Sequence, residues 1–135
     1  MPGFFTDYTN NKVLDSILGN TPFTAPSTLY FGLSQNTSNK AGTLGEPSSG
    51  GYARVAVSNN LSAFASASNG TKTNSSVIGF PAPTGNWGTV SSVFISDSPS
   101  GGNVLAMADL ASPRTISAGN AAPSIAIGAL YLSHT

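Results

Sequence analysis

The chain has 135 residues, five Lys or Arg against five Asp or Glu, a net charge of zero, one histidine and no cysteine. That length allows one domain with its own hydrophobic core, and the missing cysteines exclude disulfides and thiolate metal sites. The five cations, Lys12, Lys40, Arg54, Lys72 and Arg114, are scattered rather than clustered, so no basic face for nucleic acid can be drawn.

With only 7% charged residues, little repulsion keeps copies apart, and this balance favours permanent association. The first residues lack the basic and apolar runs of a secretion signal, and no stretch has the ~18 apolar residues of a membrane span. Neither a nucleic-acid nor a membrane partner is expected.

Residues 1–7 read as an irregular arm, because Pro2 and Gly3 interrupt regular structure and Phe4 with Phe5 offers two adjacent aromatic anchors. Over 8–18 the apolar residues Val13, Leu14, Ile17 and Leu18 fall on one helical face, with Asp7 or Thr9 as cap and Gly19 as stop. Eleven residues are marginal alone, so this helix is expected to pack that face on a sheet.

Thr28–Ser34 alternates Leu29, Phe31 and Leu33 against Tyr30 and reads as a strand. Residues 35–51 are polar and aperiodic, a long loop of the kind that a partner often orders. Strands are expected over 52–57, more weakly over 61–66, and over 76–80, with a turn at Asn69-Gly70. Trp87 then forms a corner leading into a central hairpin, 89–97 with 103–110. Asp97 initiates its turn and Gly101 and Gly102 complete it. A short edge segment near 113–116 and a last strand over 124–133 close the chain. Together these predict a mainly β single domain over 1–135, a β-sandwich or jelly-roll-like barrel of seven or eight strands with one short N-terminal helix and arm (1–20).

Chemistry finds little footing. The titratable candidates Asp7, Asp15, Glu46, Asp97, Asp109 and His134 show no acid/base pairing, and no GxSxG elbow occurs. Ser49-Gly50-Gly51 lacks the lysine of a phosphate loop. No catalytic, cofactor-binding or metal residues are assigned, and an enzyme is not expected. The Asn-x-Ser/Thr triplets at Asn36, Asn60, Asn69 and Asn74 read as polar surface. Trp87 and Tyr52 could stack on a sugar, but a lone tryptophan beside Gly88 at a strand start reads better as a corner plug.

Several segments resemble a family of small bacteriophage virion proteins, often labelled tail-fibre proteins, whose relatives include capsid decoration (cement) proteins. They are 11–19 (NKVLDSILG), 29–34 (LYFGLS), 45–55 (GEPSSGGYARV), 86–90 (NWGTV), Ser96-Asp97 and 101–105 (GGNVL). The resemblance implies a β-rich protein present in many copies on a phage particle, without enzymatic residues. It implies a homotrimer bound to the major capsid protein on the capsid surface and stabilising it; a tail fibre or tail tip that binds a host receptor or glycan is the alternative. Phe4, Phe5, Tyr8, Glu46, Tyr52 and the loop 35–51 are the expected contacts with the shell or a sister subunit. Trp87, Asp97, Gly101 and Gly102 are the expected structural residues.

Overall fold

The computed structural model describes residues 1–133; His134 lies outside them. The elements run β1 (Pro2–Phe5), α1 (Asp7–Ile17), β2 (Thr28–Ser34), β3 (Val55–Ser58), β4 (Thr71–Thr73), β5 (Ile78–Gly79), β6 (Gly88–Ser96), β7 (Val104–Ile116), β8 (Ser124–Ile125) and β9 (Tyr131–Ser133). Seven strands form one curled sheet in the order β3-β2-β6-β7-β1-β9-β4, and β5 pairs with β8 in a second, small sheet. The mainly β class with one N-terminal helix is therefore observed.

Register explains the core. Because Phe31 pairs with Ile95 and Leu33 with Val93, and these in turn with Ala106 and Ala108, the apolar halves of three alternating strands share one face. Phe64, Ile78, Phe80, Trp87, Ile116, Ile125 and Leu130 cover that face. The opposite face carries Gly32, Phe94 and Met107, and Phe94 and Met107 are as fully buried as the core.

The N-terminal segment departs from expectation. Residues 2–5 are a strand, antiparallel to β7 and parallel to β9, inserted between them. Pro2 is tolerated because it is the first strand residue. Gly3 lets the neighbouring strands pack closely, since a Cβ there would push the end of the Leu132 side chain aside and come within 3.2 Å of the Ala108 Cβ. The partners lie about a hundred residues away in sequence, so no local signal announces this strand.

The helix has its expected extent, but its packing is reversed. Leu14, Ile17 and Leu18 are 53%, 73% and 78% exposed, whereas Thr9 is buried. The N-cap residue is Thr6, and neither its hydroxyl nor that of Thr9 caps the helix: Thr6 Oγ1 donates to the carbonyl of Val104 and Thr9 Oγ1 to that of Leu105. Hydroxyls thus hold α1 to the start of β7, and the apolar ridge faces away.

Residues 61–66 form a turn rather than a strand. Asn60 Oδ1 accepts the backbone N–H groups of Ser62 and Ala63, an Asx-type turn that competes with extension. It drops Phe64 onto the Phe31 ring at 6.0 Å. The last strand is likewise split into β8 and β9 by a turn containing Gly128 at φ 75°. Asn74 holds that break: it is 2% exposed, accepts from Leu130 N–H and donates to the Ser76 and Ala126 carbonyls. Asn74 is thus a saturated internal clip rather than polar surface. Strand β7 runs on through Pro113 to Ile116, pairing with Gly88–Val90 of β6 beyond a bulge, so the expected edge segment belongs to the central hairpin.

Gly32 makes one packing constraint testable. A Cβ at this position would overlap the Phe94 ring and lie 2.7 Å from Tyr52 Oη, and Phe94 is fully buried. Gly32→Ala is expected to cost about 3 kcal/mol through overpacking. Urea unfolding would read this as a lowered midpoint with unchanged slope.

Candidate functional site

The loop 35–51 is ordered by the chain's own sheet rather than left slack for a partner. Ser34 Oγ accepts from Asn36 and Gly45 N–H, Ser92 Oγ donates to the Asn36 carbonyl, and Asp109 Oδ1 accepts Ser38 N–H at 2.7 Å. Further along, Gly50 packs against Gly85 closely enough that a Cβ on Gly50 would lie 2.7 Å from the Gly85 carbonyl carbon. The Gly50 carbonyl accepts Trp87 Nε1–H at 2.8 Å.

Glu46 of this loop forms one polar network with Tyr52 and Arg54, which follow the loop and lead into β3. Arg54 Nε and Nη2 donate to the two Glu46 oxygens at 2.8 and 2.9 Å, a bidentate pair, and Tyr52 Oη–H donates to Glu46 Oε2 at 2.6 Å. Tyr52 Oη itself accepts Leu33 N–H from β2. Arg54 Nη1 donates to the Ser98 and Gly101 carbonyls of the β6–β7 turn, and its guanidinium lies 4.9 Å from the centre of the Phe94 ring. The Arg54 side chain is 4% exposed, and no buried side-chain polar atom among the described residues lacks a partner. A buried charge survives on such terms only when paired and fully hydrogen-bonded.

The electrostatics follow. Burial works against ionising Glu46, but the hydrogen bonds from Arg54 and Tyr52, with the guanidinium charge, outweigh it and hold the carboxyl below its usual range. Burial, together with donation to Glu46, pushes the Tyr52 hydroxyl well above its usual value. The hydrogen bond to Glu46 raises Arg54 in spite of its burial. A depressed folded pKa means that the unfolded chain takes up the proton first as pH falls, so this stabilisation is full above the ordinary carboxylate range and is lost below it. The melting temperature is expected to fall between about pH 5 and pH 3, and Glu46→Gln, measured over the same range, should flatten that fall.

The other expected residues are placed as follows. Asp97 accepts from the Asn103 backbone and side chain, and Gly101 and Gly102 take φ of 59° and 73°, the geometry of a turn initiator with left-handed glycines. Trp87 is 1% exposed and meets Tyr52 edge-on at 5.3 Å, which leaves no ring face for a sugar. Phe4 lies under Lys40 at 5.2 Å, and half-buried Tyr8 under Lys12 at 5.6 Å. Phe5 lines a groove. Glu46, Tyr52, Trp87 and the Asp97 turn are therefore joined into one body, and Arg54, which the sequence gives only as an isolated cation, is the residue that joins them.

Among the described residues, two apolar surfaces beside α1 stay uncovered. One is the ridge of Leu14, Ile17 and Leu18. The other is a groove of about 420 Å³ beside α1, lined by Phe5, Val13, Phe23, Leu29 and Phe64, with Lys72 among its polar residues. No group of His, Asp or Glu able to hold a metal ion occurs among the described residues, and no helix among them is long and apolar enough to cross a membrane.

The sequence model of the family described as Podophage GP4 fiber I protein gp80 matches residues 4–133. The chain belongs to that family. The match runs from Phe4 in β1 to the last residue of β9, so it covers all of the described sheet except the first two residues of β1. Membership makes the chain a bacteriophage structural protein of the virion. No curated protein matches it.

Proposed function

We propose that this gp80-family chain is a subunit of a fibre on a phage particle, held there by apolar contact with neighbouring virion proteins. The observation that carries this reading is the pairing of a fibre-family match over nearly all of the chain with an apolar ridge and groove that the fold leaves open. Apolar area is worth about 25 cal/mol per Å² on burial, less the cost of association. Contacts repeated over many copies need not be individually strong.

Capsid decoration, with the major capsid protein as partner and a homotrimer as the assembled unit, is the second reading. It is favoured by the lack of heptad or stalk repeats in the sequence and by the near absence of charge. Gold-labelled antibody on intact particles separates the two: label confined to an appendage supports the fibre, and label spread over the shell overturns it in favour of decoration. In the second case, particles lacking the protein should lose heat resistance.

A further inference from the structure

We propose that the chain self-associates by seating the α1 ridge of one copy in the groove beside α1 of a second copy. The ridge is Leu14 and Ile17, one turn apart on the helix, with the C-cap residue Leu18, each more than half exposed. Three large exposed aliphatic side chains grouped in the last turn of a short helix and its C-cap form a wet patch, whereas scattered single ones would need no explanation. The groove, about 420 Å³, is nearly three times the ~150 Å³ cavity that accepts a benzene ring. It has room for more than one aliphatic side chain.

Charge selects the occupant. Lys72 is the one charged residue lining the groove and, among the described residues, makes no ion pair; the pair they do contain is Arg54 with Glu46. The exposed Asp15 lies between Leu14 and Ile17 in sequence and makes none either. The ridge thus brings the carboxylate that the groove's cation lacks, and opposite charges brought together at a contact fix its register. The net charge of zero leaves no overall repulsion between copies. Because Val13 lines the groove while Leu14 starts the ridge, donor and acceptor surfaces adjoin on every chain, and the contact can close as a two-fold pair or as a ring, including the expected homotrimer.

Sedimentation equilibrium of the full chain over a range of concentrations tests this. The expected result is a mass of at least two chains. Ile17→Asn with Leu18→Asn should be monomeric with an unchanged melting curve, since both positions are solvent-exposed within one chain. Asp15→Lys and Lys72→Glu should each weaken association about tenfold, and the double reversal should restore it. A wild-type monomer at every concentration overturns the proposal, including one that still binds a capsid or tail protein through this face. Undiminished association of the Ile17 and Leu18 variant, or a double reversal no better than the single ones, overturns it as well. The inference does not depend on where the protein sits on the particle, so antibody labelling and sedimentation can fail separately.

Discussion

Trp87→Ala should be the most damaging single truncation in the chain, lowering stability by about 3–5 kcal/mol. The ring is almost completely buried in the covered face of the sheet, so its removal leaves a cavity whose walls include secondary structure that cannot collapse. Two further losses accompany the cavity. The Gly50 carbonyl loses its Nε1–H partner and keeps only the Thr84 N–H, and Tyr52 loses its edge-on neighbour. Trp87→Phe, which keeps an apolar ring but not the donor, should cost roughly 1–3 kcal/mol. Thermal unfolding of the three proteins measures this, and full stability of Trp87→Ala would remove the tryptophan from its structural role.

Arg54→Ala is expected to follow closely, at about 3 kcal/mol, the lower end of the range for breaking a buried ion pair because Glu46 keeps a quarter of its side-chain exposure. The single change strands the Glu46 carboxylate, frees the Ser98 and Gly101 carbonyls and uncovers Phe94. Replacing both charges at once, Glu46→Gln with Arg54→Met, should cost much less than the sum of the single changes, since no buried charge is left without a partner. A double-mutant cycle by chemical denaturation gives the coupling directly. Additive costs would mean that Glu46 and Arg54 act separately, against the bidentate geometry.

These two effects meet in one place, because Tyr52 touches both Trp87 and Glu46. The loop 35–51 is polar and aperiodic, which in sequence resembles slack. Its order comes from single hydrogen bonds to groups far away in the chain, such as Ser38 to Asp109 and Trp87 to Gly50, and such pairings leave no periodic trace. The expected contacts with the shell or a sister subunit include Glu46 and Tyr52. They do not include the joint partner of these two, because Arg54 is one cation among five. The only legible cue was its place two residues after Tyr52 on the alternating run that leads into β3.

The apolar residues of α1 illustrate the opposite case. Periodicity gave a helix over 8–18, and the structure has it at Asp7–Ile17, since the 3.6-residue repeat is a local property. Which way the apolar face points is not local. The hydroxyls of Thr6 and Thr9 fix the helix to β7 and turn Leu14, Ile17 and Leu18 outward, which makes the ridge a surface for another molecule.

Alternation and turn chemistry, both readable from neighbouring residues, determined the mainly β class, the strand Thr28–Ser34, the hairpin around Asp97, Gly101 and Gly102, and the helix. Tertiary structure alone decided the insertion of Pro2–Phe5 between β7 and β9, the burial of Asn74, the ion pair of Arg54 with Glu46 and the outward ridge. Each of these depends on partners far apart in sequence, where hydrogen-bond satisfaction and close packing, rather than local propensity, set the outcome.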